Sequence, residues 1–358
     1  MNSSERRELR YRRRCEKRNK KIDRRCELFS DVNKCFTFSK VMYYADKCCN
    51  GVRWKKSTIT FILHEFTIIA TTCHNIKNNS YKVGETYKFR INERGKVRDI
   101  DAPHIKDRLV HKVLSNEIIL PIYYPHLIYD NGASMYNKGF IFAINRVKSK
   151  LRKYYNLYGD DLYIILIDFY SFFLNCNHDV IHDIHKKYIK NDYTIKVIED
   201  YLFVNENGIA LGIEIAQREA SIIPNVLDHY LSNNSLFVER YMDDSICLVS
   251  CYSEALNLLN RYKEMCKSIG IVINENKTKI IKSNKLIYCK WKYILGNKIK
   301  NIPVKSTIYR QRRILRRMKR KGIDSSLSIN SYISYLNIGH SYKYVMYLRD
   351  ANEKNWLK

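Results

Sequence analysis

Apolar positions change period along the chain, and the changes mark its elements. From Trp54 to about Asn75 they recur at helical spacing (Ile59, Ile62, Leu63, Phe66, Ile69), which predicts an amphipathic helix. Tyr87, Phe89 and Ile91 then alternate with polar neighbours. Turn residues from Asn92 to Gly95 and a second run from Lys96 to Asp101 complete a predicted hairpin, ended by Pro103. Helical spacing returns over Ile105–Ile119 and Phe140–Tyr154. Leu162–Ile167 is a short, almost wholly apolar run rich in Ile, the pattern of a strand buried on both faces, and it ends at Asp168. Helical patterns cover roughly 178–203 and 215–232. Two strand-like runs, Leu236–Tyr241 and Ser245–Ser250, then flank the pair Asp243 and Asp244. A helix near 253–269 is followed by β-prone runs at Ile271–Ile273, Lys279–Ile281 and Leu286–Leu295, and the last sixty residues read as helical.

Composition adds a partner to this α+β pattern. With 64 Lys and Arg against 36 Asp and Glu, the 358 residues carry a formal charge of +28, an imbalance that points to a polyanion such as nucleic acid. A hydrophobic fraction of 45%, with 29 Tyr, excludes a disordered basic tail. No stretch of 18 apolar residues occurs and Met1 leads into charged residues, so neither a membrane span nor secretion is expected, and the cytosol is the expected compartment. Eleven Cys without a paired CxxC spacing read as reduced and structural. The charge is uneven. Residues 1–27 hold twelve Lys or Arg and five acids, a basic arm, and residues 305–321 hold nine Lys or Arg and no acid.

The chemistry lies in three carboxylates. Asp168 at the tip of a buried strand is costly unless a cation compensates it. Tyr241-Met242-Asp243-Asp244 puts two more in the turn of a predicted β-hairpin. Carboxylates gathered at adjacent strand ends make an oxygen-rich site suited to Mg²⁺, and two such ions can activate a 3′-hydroxyl and stabilise a leaving pyrophosphate.

Several motifs in order resemble those of prokaryotic reverse transcriptases, over residues from about 51 to 345. Tyr241–Asp244 resembles the palm signature. Ile167–Phe173 followed by Asn177-His178 is similar to the first palm motif of group II intron and related enzymes, and Gly95–Pro103 with Asp107-Arg108 resembles the fingers hairpin. Asn131–Gly139, Leu211–Gln217 leading to Asn225–Asp228, Asn274–Lys279 and Tyr288–Leu295 resemble later motifs. The resemblance implies a right-hand polymerase with fingers (51–160), palm (161–295, with a fingers insertion at about 178–208) and helical thumb (296–358), behind a basic arm (1–50). It implies an RNA-directed DNA polymerase that uses two Mg²⁺, with Mn²⁺ as a substitute.

By the same resemblance Asp168, Asp243 and Asp244 hold the metals, with the Phe169 carbonyl as an extra ligand. Arg98, with Lys88 or Arg90 opposite it across the hairpin, holds the triphosphate. Phe173 lies beneath the sugar and excludes a 2′-hydroxyl, Tyr241 and Met242 line the primer end, and Leu211 and Gln217 stand near the nascent pair. Leu211 departs from the Gln that many relatives carry, as Leu174 departs from an acid, which leaves fidelity and subfamily open. The run at 307–322 predicts a helix burying Ile308, Ile314, Leu315 and Met318, with Arg310, Arg312, Arg313, Arg316, Arg317, Lys319 and Arg320 set to follow phosphates. Expected partners are an RNA template or non-coding RNA, the DNA product, dNTPs, and an accessory protein or second copy, with no membrane. Two other readings stay open: an antiviral-defence polymerase using a non-coding RNA, protein priming or little template, and an RNA-binding or maturation protein with a vestigial site.

Overall fold

The structure, a computed structural model, describes residues 2–93, 96–296 and 298–353, which divide into two compact units. The first comprises Met1–Tyr129, Phe169–Leu227 and Met265–Val272, and the second Asp130–Asp168, Asp228–Glu264 and Ile273–Lys358.

The first unit is mostly helical and opens with the basic arm as one helix, Ser3–Phe29, which Asn2 caps by accepting from the Glu5 amide while the Glu5 carboxylate accepts from Asn2. The single helix expected from Trp54 is instead two, Lys56–Leu63 and Glu65–Lys77, broken at His64. The hairpin is present as β1 (Thr86–Glu93) and β2 (Lys96–Pro103), antiparallel with Lys88 opposite Asp101 and Arg90 opposite Asp99. Its predicted turn residues Arg94 and Gly95 lie outside the described residues. Beyond Pro103 the helix Ile105–Val113 widens into a π-helical turn, Leu114–Ile119. The pattern over 178–203 resolves into His178–Tyr188 and Asp192–Leu202, each started by an Asn cap, Asn177 and Asn191.

The second unit carries an antiparallel sheet of four strands. β3 (Tyr163–Asp168) lies between β5 (Asp244–Val249) and β6 (Lys279–Lys282), and β4 (Phe237–Tyr241) forms the edge beside β5. Ile164 and Ile165 are both fully buried, as an apolar run covered on two faces should be. A smaller sheet joins β7 (Ile287–Tyr288), β8 (Trp291–Ile294) and β9 (Lys300–Pro303). Its first turn places Cys289 and Lys290 at φ of 50° and 66°, the left-handed pair that a two-residue hairpin requires. β9 corrects the expectation of unbroken helix at the end of the chain. Three helices follow it: Lys305–Arg320, Ser326–Leu336 and Tyr342–Glu353. One core joins Ile144, Val147 and Leu151 of the helix Phe140–Tyr158 to strand residues such as Ile164, Leu248 and Trp291. Ile271–Ile273 forms no strand. Among the described residues no helix is long and apolar enough to cross a membrane.

Candidate active site

The register of the larger sheet brings the predicted acids together. Asp168, the last residue of β3, is the antiparallel partner of Asp244, the first of β5. Tyr241 pairs with Asp244 across the β4–β5 hairpin, so Met242 and Asp243 form its two-residue turn. Met242 sits at φ 58°, a conformation costly for a side chain of its size that needs local support.

That support comes from Arg240, which is wholly buried. Its Nε donates to both oxygens of the equally buried Asp228 at 2.8 Å, its Nη2 lies 2.7 Å from Asp228 Oδ2, and its Nη1 donates to the Met242 carbonyl at 3.0 Å. The Arg240 amide donates to the Asp130 carbonyl at 3.0 Å, and the Gly132 amide donates to the Arg240 carbonyl at 2.8 Å. Beside it the buried Glu239 accepts from the Tyr288 hydroxyl, and burial pushes its carboxyl up to about 8.

Asp168 is buried and heavily bonded. Its Oδ1 accepts from Asn274 Nδ2 at 2.8 Å, its Oδ2 from Lys277 Nζ at 2.5 Å, and its amide donates to Thr278 Oγ1 at 3.2 Å. Asp244 reaches solvent along part of its surface. Even so, burial of its carboxyl, the charge of Asp243 and a hydrogen bond and charge from Asp168 push it up to about 7 against the pull of Lys277. Exposure and crowding are compatible here because the carboxyl faces its acidic neighbours. Lys277 and Asn274 were legible only as part of a motif, without a role. Nothing in the spacing of Asn274 and Lys277, 106 and 109 residues after Asp168, signals the contact.

Among the described residues no group of three or more His, Cys, Asp or Glu is assembled as a metal cage. The donor chemistry nonetheless fits a divalent cation: hard oxygens, drawn so close that Asp244 resists ionisation, with Lys277 on Oδ2 of Asp168. Tyr241 is half-buried with its ring edge-on to Phe140, and Met242 Sδ lies 4.0 Å from Ser134 Oγ.

The remaining predicted substrate residues belong to the first unit. Lys88, Arg90 and Leu211 line one cavity of about 490 Å³, together with Asp99, Asp101 and Asn205. Arg90 Nε donates to Asp99 at 2.7 Å, and Lys88 Nζ stands 3.7 Å from Asp101. The expected opposition of Arg98 to Lys88 or Arg90 is corrected by the register. Arg98 faces Ile91, and strand alternation puts it on the other face of the hairpin. The Leu211 carbonyl accepts from the Asp101 amide at 2.8 Å, and Gln217 is exposed on the helix Glu214–Ile222. Leu174 lines the cavity, whereas Phe173 is half-buried and packs edge-on to Phe172. Phe169, expected to lend a carbonyl, is buried against Phe172.

In the second unit Arg312, Arg313, Arg316, Arg317 and Arg320 line a groove of about 650 Å³ with Tyr309. Arg310 is exposed but outside that lining. Lys319 departs from expectation, because its Nζ is buried without a hydrogen-bond partner, and Ile314, expected inside, is 39% exposed.

Comparison with the curated proteins finds no match. Among solved structures, the chain is similar to telomerase from Candida albicans in complex with the TWJ fragment of telomeric RNA. The TM-score is 0.45 at 9% identity, over 72% of this chain and 53% of that one. It is also similar to apo telomerase from Candida tropicalis truncated from its C-terminal domain, with a TM-score of 0.43 at 14% identity over 67% and 59%. The chain thus spans little more than half the length of these telomerase chains. The family described as reverse transcriptase (RNA-dependent DNA polymerase) matches residues 77–309, most of the sequence and all of the elements that carry the three carboxylates. The chain therefore belongs to the reverse transcriptase family.

Proposed function

We propose that the protein is an RNA-directed DNA polymerase that adds dNTPs to a primer. The observation that carries this reading is the facing of Asp168 and Asp244 at the paired ends of β3 and β5, beside a turn bearing Asp243. Asp168, Asp243 and Asp244 would hold two divalent ions, Mg²⁺ with Mn²⁺ as a substitute, which would supply Lewis-acid charge to a 3′-hydroxyl and a leaving pyrophosphate. Asn274 and Thr278 fix Asp168, and Lys277 Nζ donates to its Oδ2 at 2.5 Å. Arg240 holds the turn through the Met242 carbonyl. The cations Lys88 and Arg90 at their cavity would bind the triphosphate, with Arg98 as a further contact from the other face of the hairpin. Phe173 with Leu174 would border the sugar, and Leu211 and Gln217 the nascent pair. In this reading 51–160 form the fingers, 161–295 the palm and 296–358 the thumb. The arginine groove of Lys305–Arg320 would receive phosphates of the template and primer.

Asp243→Asn provides the test. Asp243 lies in a turn rather than a core, so the variant should fold and bind RNA as the parent does. Primer extension with Mg²⁺ should fall by about 10²-fold or more, equivalent to ~2.7 kcal/mol of lost transition-state stabilisation. Extension at the parent rate would show that the site has been assigned to the wrong residues.

A further inference from the structure

The N-terminal helix Ser3–Phe29 is exposed along almost its whole length: before Phe29 only Cys15, Ile22 and Cys26 are covered to any degree. At 3.6 residues per turn, those three and Phe29 form one narrow stripe. The charges divide around it. Eleven of the twelve Lys and Arg, all but Arg12, fall within an arc of about 160°. All five acids (Glu5, Glu8, Glu16, Asp23 and Glu27) fall outside that arc, and Arg12 lies among them, its Nη2 donating to Glu8 at 2.6 Å.

A helix stabilised by its own charges interleaves signs at i,i+4. Here Arg6, Arg10, Arg14 and Arg18 follow one another at that spacing, and a second run of like charges extends from Arg13 to Arg25. Each like pair costs a few tenths of a kcal/mol. The ridge, from Arg6 to Arg25, therefore repels itself along about 29 Å, a repulsion that an anionic partner would relieve.

We infer that this basic face is a docking surface for folded RNA. Protein interfaces need an apolar or aromatic centre, and within the arc the only apolar side chain is Leu28, at the end of the helix. Nine of the twelve cations are Arg. Guanidinium groups fork onto phosphates and stack on the unpaired bases of RNA loops and bulges. The choice of RNA over DNA rests on the proposed polymerase function.

The experiment uses the full chain and an RNA hairpin of about 30 nucleotides carrying one bulge, with anisotropy measured across a salt series. One variant carries Arg6→Gln, Arg10→Gln, Arg13→Gln, Arg14→Gln, Lys17→Gln and Arg18→Gln. Gln keeps helix propensity close to that of Arg and Lys, and circular dichroism checks the helix. If half of the six touch phosphate, the slope of log affinity against log salt flattens by about 2 units. Affinity near 0.1 M salt should fall at least about tenfold, and a matched DNA hairpin should lose much less. A second variant with Lys at the five Arg positions should keep the slope. An unchanged slope in the Gln variant overturns the inference. Equal losses for DNA and RNA, or stronger competition by polyglutamate than by RNA, overturn the assignment of RNA. Extension of a short primer–template, which should be unaffected in the Gln variant, is scored separately. Its absence in the parent chain would refute the polymerase function while leaving the binding result to stand.

Discussion

Arg240 meets two demands from one buried position. Its guanidinium satisfies Asp228 with Nε and Nη2 and still has Nη1 for the Met242 carbonyl, so the strained turn that presents Asp243 is tied to an ion pair in the core. A lysine would keep the charge but not the planar fork, and could serve only one of the two acceptors well. Arg240→Lys is therefore expected to lower the melting temperature and, in the remaining folded protein, to lower kcat by about tenfold or more, ~1.4 kcal/mol, with the dNTP KM little changed. A variant with lowered stability but unchanged kcat would mean that the pair supports the fold alone. The sequence made the acids legible, because a carboxylate ending an apolar strand calls for compensation. Arg240 carried no comparable signal. It lies one residue before the palm signature in a short strand-like run, and only the fold reveals that Asp228, twelve positions earlier, is its partner.

At the scale of elements, periodicity predicted most strands and helices, and its failures have identifiable causes. The helix expected from Trp54 breaks at His64, whose φ of −118° leaves the helical range. The helical reading of 215–232 separates into Glu214–Ile222 and Asn225–Asn234 around Pro224, which supplies no amide to the ladder. The hairpin register decided what alternation could not: Lys88 and Arg90 share one face and Arg98 takes the other. Gly208 shows a constraint that was invisible in sequence. It sits at φ 74°, and a Cβ there would lie 2.7 Å from Leu174 Cα, against the backbone whose Phe173 carbonyl accepts from the Ile209 amide at 2.7 Å. Gly208→Ala should thus displace the Phe173–Leu174 segment, destabilise the protein by about 1–3 kcal/mol, and weaken discrimination between deoxynucleotides and ribonucleotides. Thermal melts and the ratio of kcat/KM for the two nucleotide types check this. An unaltered ratio would mean that the segment does not border the sugar.

Across the whole molecule, the charge of +28 is unevenly spent: one share lines the groove of Lys305–Arg320, another forms the face of the N-terminal helix, and the carboxylates cluster at the ends of β3 and β5. Basic surfaces suited to a polyanion and a small acidic centre, carried on one chain, are the charge pattern expected of an enzyme that handles nucleic acid and cations together. The activity proposed for this centre is the copying of RNA into DNA. Its most direct measurement is incorporation of a single dNTP onto a primer annealed to four RNA templates that differ only in the first templating base, with Mg²⁺ and with a chelator. Each template should admit its complementary dNTP, and the chelator should abolish incorporation. Incorporation that ignores the templating base, or that persists in the chelator, would contradict the proposed activity.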